Sequence, residues 1–504
     1  MNKRISIIFL IVIIFINISN CLIVKSATYD ENENNIIRKE NLKDEIILNA
    51  CNYSLKNIRG KLQEIKEAGY SIIEISPLQG TKSDDLDGSK WWLLSQPINQ
   101  SIGNTQIGNK DDLINLCADA KKTGVKIIVQ VELNHMAFSE DNETLSESVV
   151  DEFKDINLYH DLGKCDDWNN RWSVTQKNIN GMDLNTQNPD VQKKALRFLN
   201  NCIDAGVSGF RFNEANYIET AYGEDLEKGW ASDYWEYILG NLKNKESLLI
   251  YGDIKNCGAN NEDVYKRYMN ISSEKYADSL LEAVRSNKLK NIDINNKISS
   301  QYFENEESFY LGESKNLSEN ERKICWAILS ARKDVSPIFF SRPSNKIGSF
   351  GENFYKDKDI IELNKFHKAM KGLSENVKLV DNNVIIIERG KNGAVVVNNG
   401  EDTVINIETN LEDGTYENKM SDGGTFVVTN GRLIGNIKAK TVAVFYKEKI
   451  VYFKSPSNWN EASIYVYIDK ENELSKWPGE QMKYDTNKRL YYYNSAKVLE
   501  KFCK

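Results

Sequence analysis

Residues 209–219 read GFRFNEANYIE, and the fold is decided there. Gly209, Phe210, Arg211 and Phe212 carry a strand, Ala215, Ile218 and Glu219 lead into a helix, and Asn213 stands at the crest between them. Just upstream, Asn188-Pro189 opens a helix with Val191, Ala195, Phe198 and Cys202 on one face; Gly206 closes it and a strand over 207–212 follows. The same unit occurs twice earlier. Ser54 caps a helix with Leu55, Ile58, Leu62 and Ile65, Gly69 ends it, and 70–75 is a strand. A helix over 110–123 with Leu113, Leu116 and Ala120 closes at Gly124 and hands over to a strand over 125–131. Helix, glycine and buried strand in succession imply a parallel sheet. Further strands are expected over 248–251, 300–303 and 337–340. Their number and span predict a (β/α)8 barrel, with a doubly wound open sheet as the alternative.

Outside this region the texture changes. Between His135 and Met182 the alternation stops, and the polar stretch with Trp168 and Trp172 is too long for a loop, so an inserted subdomain over about 136–182 is expected. From 375 to 447 short β-rich runs separated by Asn399-Gly400, Asp413-Gly414 and Asn430-Gly431 predict an all-β sandwich. The final segment, 448–504, is rich in Trp and Tyr.

The chain has 504 residues and a net charge of -8, which suits two to four domains and leaves no basic footprint for nucleic acid. Residues 1–27 read as a secretory signal: Lys3 and Arg4 precede a short apolar run over 5–18, with cleavage near Ser26 or Ala27. The run Ile18-Ser19-Asn20-Cys21 also resembles a lipobox, giving an alternative of lipid anchoring at Cys21. Residues 28–44 form a polar lead-in to a barrel over 45–374. Seven cysteines follow Cys21 with no CxxC pair, so a zinc site is not expected and most read as small buried hydrophobes.

Taken together the motifs resemble the α-amylase family of glycoside hydrolases. GFRFNEANYIE is similar to the family's nucleophile strand GFRxDAxKHIE, QVELNH (residues 130–135) to its DxxxNH region, and YGD (251–253) to its YGE. FENEE (303–307) stands where the family reads VENHD, and RWSVTQ, DLNTQN and FFSRP add further matches in order. The resemblance implies retaining hydrolysis of α-1,4-glucans such as starch or glycogen. It places Asn213 at the nucleophile position, Asp253 at the acid/base position and Glu307 at the position of the transition-state carboxylate.

Each of these differs from the family residue. Retaining hydrolysis uses two carboxyl groups roughly 5–5.5 Å apart, one charged and one protonated. An amide cannot replace the charged one, and Asp253 is a methylene short, where a displacement of about 1 Å can cost a hundredfold. The resemblance therefore implies a weakly active or inactive glucan-binding homologue, with rearranged carboxylates as the alternative: Asp253 as acid, and Glu307 or Glu214 as nucleophile. Arg211, deprived of its usual partner, is expected to pair with Glu214, Asp253 or Glu307. His135, Arg211 and Gln96 are the sugar-binding candidates in the barrel, and the Trp91-Trp92 pair reads as core. A family calcium site is implied at Asn134, Thr175, Asp183 and the Tyr217 carbonyl. The segment 448–504 resembles a truncated starch-binding module, with Trp459 and Trp477 as stacking residues for glucan. A monomer with an α-glucan partner is expected.

Overall fold

The computed structural model describes residues 41–504 except 260, 294–298, 313, 448–449, 456–460, 465–466, 470–471, 474–478, 487–488 and 495–504. Eight parallel strands form one sheet: β1 (Ile47–Ala50), β2 (Ile72–Ile75), β3 (Lys126–Val131), β4 (Gly209–Phe212), β5 (Leu249–Ile254), β6 (Asn270–Ser273), β7 (Ser300–Tyr302) and β8 (Ser336–Phe340). Their order is β6-β5-β4-β3-β2-β1-β8-β7. The seam between β6 and β7 is joined by side chains rather than a backbone ladder. Ser299 Oγ accepts from the Ile271 N–H at 3.0 Å and donates to the Ile271 carbonyl at 3.0 Å. Gln301 accepts from the Ser273 N–H at 3.0 Å and donates to its carbonyl at 2.9 Å. The barrel is thereby closed. Strands β1 and β6, four residues each, escape the sequence reading.

The helices form where their caps and apolar faces dictate. In α1 (Leu55–Glu67), the Ser54 hydroxyl accepts from the Asn57 N–H, and Leu55, Ile58, Leu62 and Ile65 face inward. In α2 (Lys110–Thr123), Asn109 and Asp112 make a reciprocal capping box, and Gly124 closes the helix at φ 74°, a left-handed conformation that suits glycine. In α3 (Pro189–Asp204), proline occupies the first turn, where no N–H is needed.

Inside the barrel, period-two alternation puts Ile47, Ile72, Ile128, Leu249 and Ile338 in one apolar cluster. Two residues further along each strand the same inward face carries Asn49, Glu74, Gln130 and Tyr251, with Arg211 paired to Gln130 and to Tyr251 in the ladders. The polar layer thus sits directly above the apolar one, at the C-terminal ends of the strands.

The insert after β3 has its own core of Met136, Phe138, Val149, Phe153, Leu158, Tyr159 and Met182. Beyond the barrel, two four-stranded antiparallel sheets share one apolar core. The first is β9 (Glu375–Leu379), β10 (Val384–Arg389), β11 (Gly393–Asn398) and β16 (Thr441–Tyr446). The second is β12 (Thr403–Glu408), β13 (Gly414–Glu417), β14 (Thr425–Thr429) and β15 (Arg432–Ile437). In the last segment, Ala462, Met482, Tyr491 and Tyr493 make a small cluster. Trp459 and Trp477, the signal peptide and Cys21 lie outside the described residues. The six described cysteines are free thiols. No helix among the described residues is long and apolar enough to cross a membrane.

Candidate functional site

A cleft opens at the C-terminal ends of the strands, where barrel sites are built. Its lining includes Asn213, Asp253, Glu307, Arg211, Glu132 and Glu214. Strands β3, β4 and β5 position most of these residues. Beyond β7, Asn305 caps the helix Glu306–Tyr310 in a capping box with Ser308, which sets Glu306 and Glu307 in its first turn.

Arg211 is the centre of the floor. It donates to Asp253 at 2.9 Å and to Glu74 at 3.1 Å, and it lies 3.4 Å from Glu306. Of the three partners expected from sequence only Asp253 is found; Glu214 and Glu307 are not Arg211 partners in the described ion pairs, and Glu74 and Glu306 take their places. One guanidinium cannot neutralise three buried carboxylates, so they divide. Burial pushes Glu74 above its ordinary pKa despite Arg211. At Asp253 and Glu306 burial is again the largest single effect, but Arg211 together with Lys255 and Ser272 at the first, and with Gln130 and Asn49 at the second, outweighs it and holds both below theirs. Asp253 also accepts from Ser272 at 2.8 Å and Tyr302 at 3.1 Å, and Lys255 stands 3.7 Å away. It is therefore a firmly ionised carboxylate.

At the crest, Asn213 donates through Nδ2 to Glu132, and its Oδ1 is buried without a hydrogen-bond partner. Glu214 adopts φ 50°, a left-handed backbone that costs a non-glycine residue about 1–2 kcal/mol. Burial, reinforced by Glu132, pushes its carboxyl up to about 8. Glu307 is half-exposed and bonds Lys255 at 2.6 Å. Trp91 stacks on Tyr310 with ring centroids 5.2 Å apart and planes 8° off parallel, and Trp91 lines the cleft. Trp92 is 43% exposed. The expectation of core packing for this pair is corrected: both rings lie in a 3-10 segment over Gly88–Ser95 whose buried residues are Gly88, Leu93 and Leu94.

Two sugar-binding candidates do not line the cleft. The Gln96 amide donates to the Asn180 carbonyl at 2.6 Å and accepts from the Phe138 N–H at 3.2 Å, tying the segment to the insert. His135 is fully buried, with Nε2 3.0 Å from the Ser95 carbonyl. Gln96 is engaged through both amide atoms and His135 through one ring nitrogen, all with backbone groups.

Three of the four sequence-implied calcium ligands converge. Asn134 Nδ2 lies 2.8 Å from Asp183 Oδ1 and 3.3 Å from the Tyr217 carbonyl. A carboxamide turned over presents oxygen at the same place, and oxygens so spaced suit a calcium ion with bonds of roughly 2.3–2.6 Å. The donor set fits the ion. Thr175 is the exception: its hydroxyl donates to the Arg171 carbonyl at 3.1 Å, and Gln176 stands between it and Glu219. His160 completes the cluster, 2.6 Å from Asp183 and 3.3 Å from Glu219. Burial lowers the His160 pKa and raises that of Asp183.

Sequence reasoning missed Glu74, Glu132, Lys255 and Tyr310. Glu74 carried a signal, a lone charge inside the apolar run of a buried strand; Glu132 carried another, following Gln130 at period two. Tyr310 carried none.

The family described as "Alpha amylase, catalytic domain" matches residues 49–322, more than half of the chain. "Alpha amylase, C-terminal all-beta domain" matches 375–448, and "Starch-binding module 26" matches 451–502. The chain is 44% identical over 417 residues to an alpha-amylase of Clostridium acetobutylicum, covering 81% of this chain and 55% of the relative. It is 26% identical over 511 residues to an alpha-amylase of Butyrivibrio fibrisolvens, covering 88% and 52%. The chain thus spans about half the length of the curated relatives it matches. Among solved structures, alpha-amylase I of the worm Eisenia fetida superposes with a TM-score of 0.66 at 17% identity, over 80% of this chain and 97% of that one. By sequence match across its barrel, and with a barrel fold to accompany it, the chain belongs to the alpha-amylase family.

Proposed function

We propose that this chain binds α-1,4-glucan in the barrel cleft and hydrolyses it weakly or not at all. The observation that carries the reading is the pairing of Asn213 with Glu132 at the position where a retaining mechanism needs a free carboxylate. The state of the remaining carboxyls supports it. A general acid must hold a proton at working pH, yet Asp253 is kept ionised by Arg211 and Lys255. A nucleophile must be charged, yet Glu214 is raised to about 8. The rearranged alternative, with Asp253 as acid and Glu214 as nucleophile, therefore asks each residue for the protonation state its surroundings oppose. Glu307, the other nucleophile candidate, is engaged by Lys255.

Glucan would lie across the Trp91–Tyr310 stack, as apolar sugar faces do on aromatic rings. Trp459 and Trp477 in the starch-binding module would supply a second contact. Asn134, Asp183 and the Tyr217 carbonyl would hold calcium, which when bound supplies a structural clamp between barrel and insert. A polysaccharide substrate is consistent with secretion of the chain as a monomer, by the signal at residues 1–27 or, alternatively, a lipid anchor at Cys21.

The test is twofold. Reducing-sugar release from soluble starch by the full chain should stay near background, while insoluble starch should retain it. Turnover at an ordinary enzyme rate would sink the proposal of weak hydrolysis, and absence of retention would sink that of binding.

A further inference from the structure

We propose that Glu132, His135 and Glu214 bind one borderline divalent transition cation, such as Zn²⁺, at the crest of the barrel. This site is distinct from the oxygen cluster of Asn134 and Asp183, and the inference does not rest on glucan binding. One ligand atom from each of the three residues lies within 4.8 Å of the others. Glu132 and His135 follow β3 and Glu214 follows β4, two strands held side by side by the pairs Gln130–Arg211 and Val131–Phe212. The three groups are therefore presented by adjoining strand ends of a closed barrel, which favours precise placement.

Two independent observations point to a ligand. The first is electrostatic. Two carboxylates face each other, and the nearby cations are engaged elsewhere: Arg211 with Glu74, Asp253 and Glu306, and Lys255 with Glu307, Glu274 and Asp253. Among the described residues neither Glu132 nor Glu214 forms an ion pair; each has only an amide donor, from Asn213 and Asn180 respectively. Facing buried carboxylates need a proton or a cation between them.

The second is a set of unpartnered buried atoms. Glu214 Oε2 and His135 Nδ1 are both buried and have no hydrogen-bond partner, and His135 is fully buried. The carbonyl of Ser95 can only accept, so His135 Nε2 carries the hydrogen and Nδ1 is left as a bare lone pair. A ring fixed by N–H donation to a backbone carbonyl is how metal-binding imidazoles are held.

The donor set selects the cation. Calcium prefers oxygen alone, whereas one imidazole with two carboxylates suits Zn²⁺ and its first-row neighbours. The missing CxxC pair bears only on thiolate sites. Bonds of about 2.0–2.2 Å require the ligand atoms to draw in by roughly 1 Å, which rotation of the two glutamate side chains provides. Glu132 and Glu214 line the cleft, so the remaining coordination positions open onto it.

The experiment uses the full chain, stripped with a chelator. Zn²⁺ stoichiometry is measured by equilibrium dialysis with elemental analysis, and coordination is read from the visible absorption of bound Co²⁺. One ion per chain is expected, with affinity reduced at least roughly tenfold in both His135→Ala and Glu214→Gln and the Co²⁺ band lost in His135→Ala. Asp183→Asn, in the other cluster, should keep the band. Circular dichroism of the metal-free variants checks folding; Glu214→Gln is isosteric and keeps the test sharp if His135→Ala does not fold. The proposal is overturned if the wild-type chain retains neither Zn²⁺ nor Co²⁺, if the variants at His135 and Glu214 bind as it does, or if Asp183→Asn is the variant that loses the band.

Discussion

Arg211 donates through Nη2 to Asp253 Oδ2 at 2.9 Å, and both side chains are almost wholly buried in the barrel. This contact ties β4 to β5 beneath the cleft and fixes the charge state of the floor. Arg211 also faces Glu74 and Glu306, so its removal would strand three carboxylates, whereas removal of the Asp253 charge leaves a better balanced cluster. Arg211→Ala should therefore cost about 3–5 kcal/mol of stability, and Asp253→Asn clearly less. Urea unfolding of the two variants decides the order; equal losses would refute the shared-guanidinium account.

Restoring a carboxylate at the crest should be difficult. In Asn213→Asp an amide donor to Glu132 becomes a second acceptor, and a buried repulsion replaces a hydrogen bond. A loss of about 1–3 kcal/mol is expected at neutral pH. The introduced acid has a raised folded pKa, so the penalty is absent below its unfolded value and grows as pH rises through the folded one. Melting curves at pH 4 and pH 7.5 should show a small gap from wild type at the lower pH and a larger one at the higher.

Glu214 gives a second pH signature, best read in chelator-treated protein. Its folded pKa is raised to about 8 from an ordinary value of 4.5, chiefly by burial. Its contribution is present below about pH 4.5 and is lost progressively as pH rises towards 8. Glu214→Gln cannot ionise, so stability measured by denaturant should fall less between pH 5 and 8 than in wild type. Parallel slopes would exclude the raised carboxyl.

Two glycines should behave in opposite ways. A Cβ at Gly209 would lie 1.8 Å from the Leu249 carbonyl oxygen, inside the β4–β5 contact, where backbone cannot give way. Gly60 lies in α1 with open space around its Cβ position. Gly209→Ala should be severely destabilising or insoluble, and Gly60→Ala should stabilise by about 0.5–1 kcal/mol through helix propensity. Thermal melts of the purified variants check both.

Local chemistry was legible without coordinates wherever the chain speaks to itself. The cap at Ser54, the Asn188-Pro189 start, the glycine closures, and the helix-to-strand rhythm depend on neighbours in sequence, and together they implied the barrel. In the sandwich β10 and β11 are buried along their whole length, while β12 is half-exposed.

The sequence by itself determined the family, the repeating architecture and which positions crown the strands, since motif order and period are properties of the linear chain. Only the tertiary structure decided how those residues use one another. Glu74, Gln130, Arg211, Asp253 and Glu306 come from five different strand ends, and their shared hydrogen bonds and protonation states exist only once the barrel closes and removes them from water. Burial and mutual field are collective quantities, so the charge on Asp253, the proton on Glu214 and the amide contact of Asn213 with Glu132 could not be read from any stretch alone.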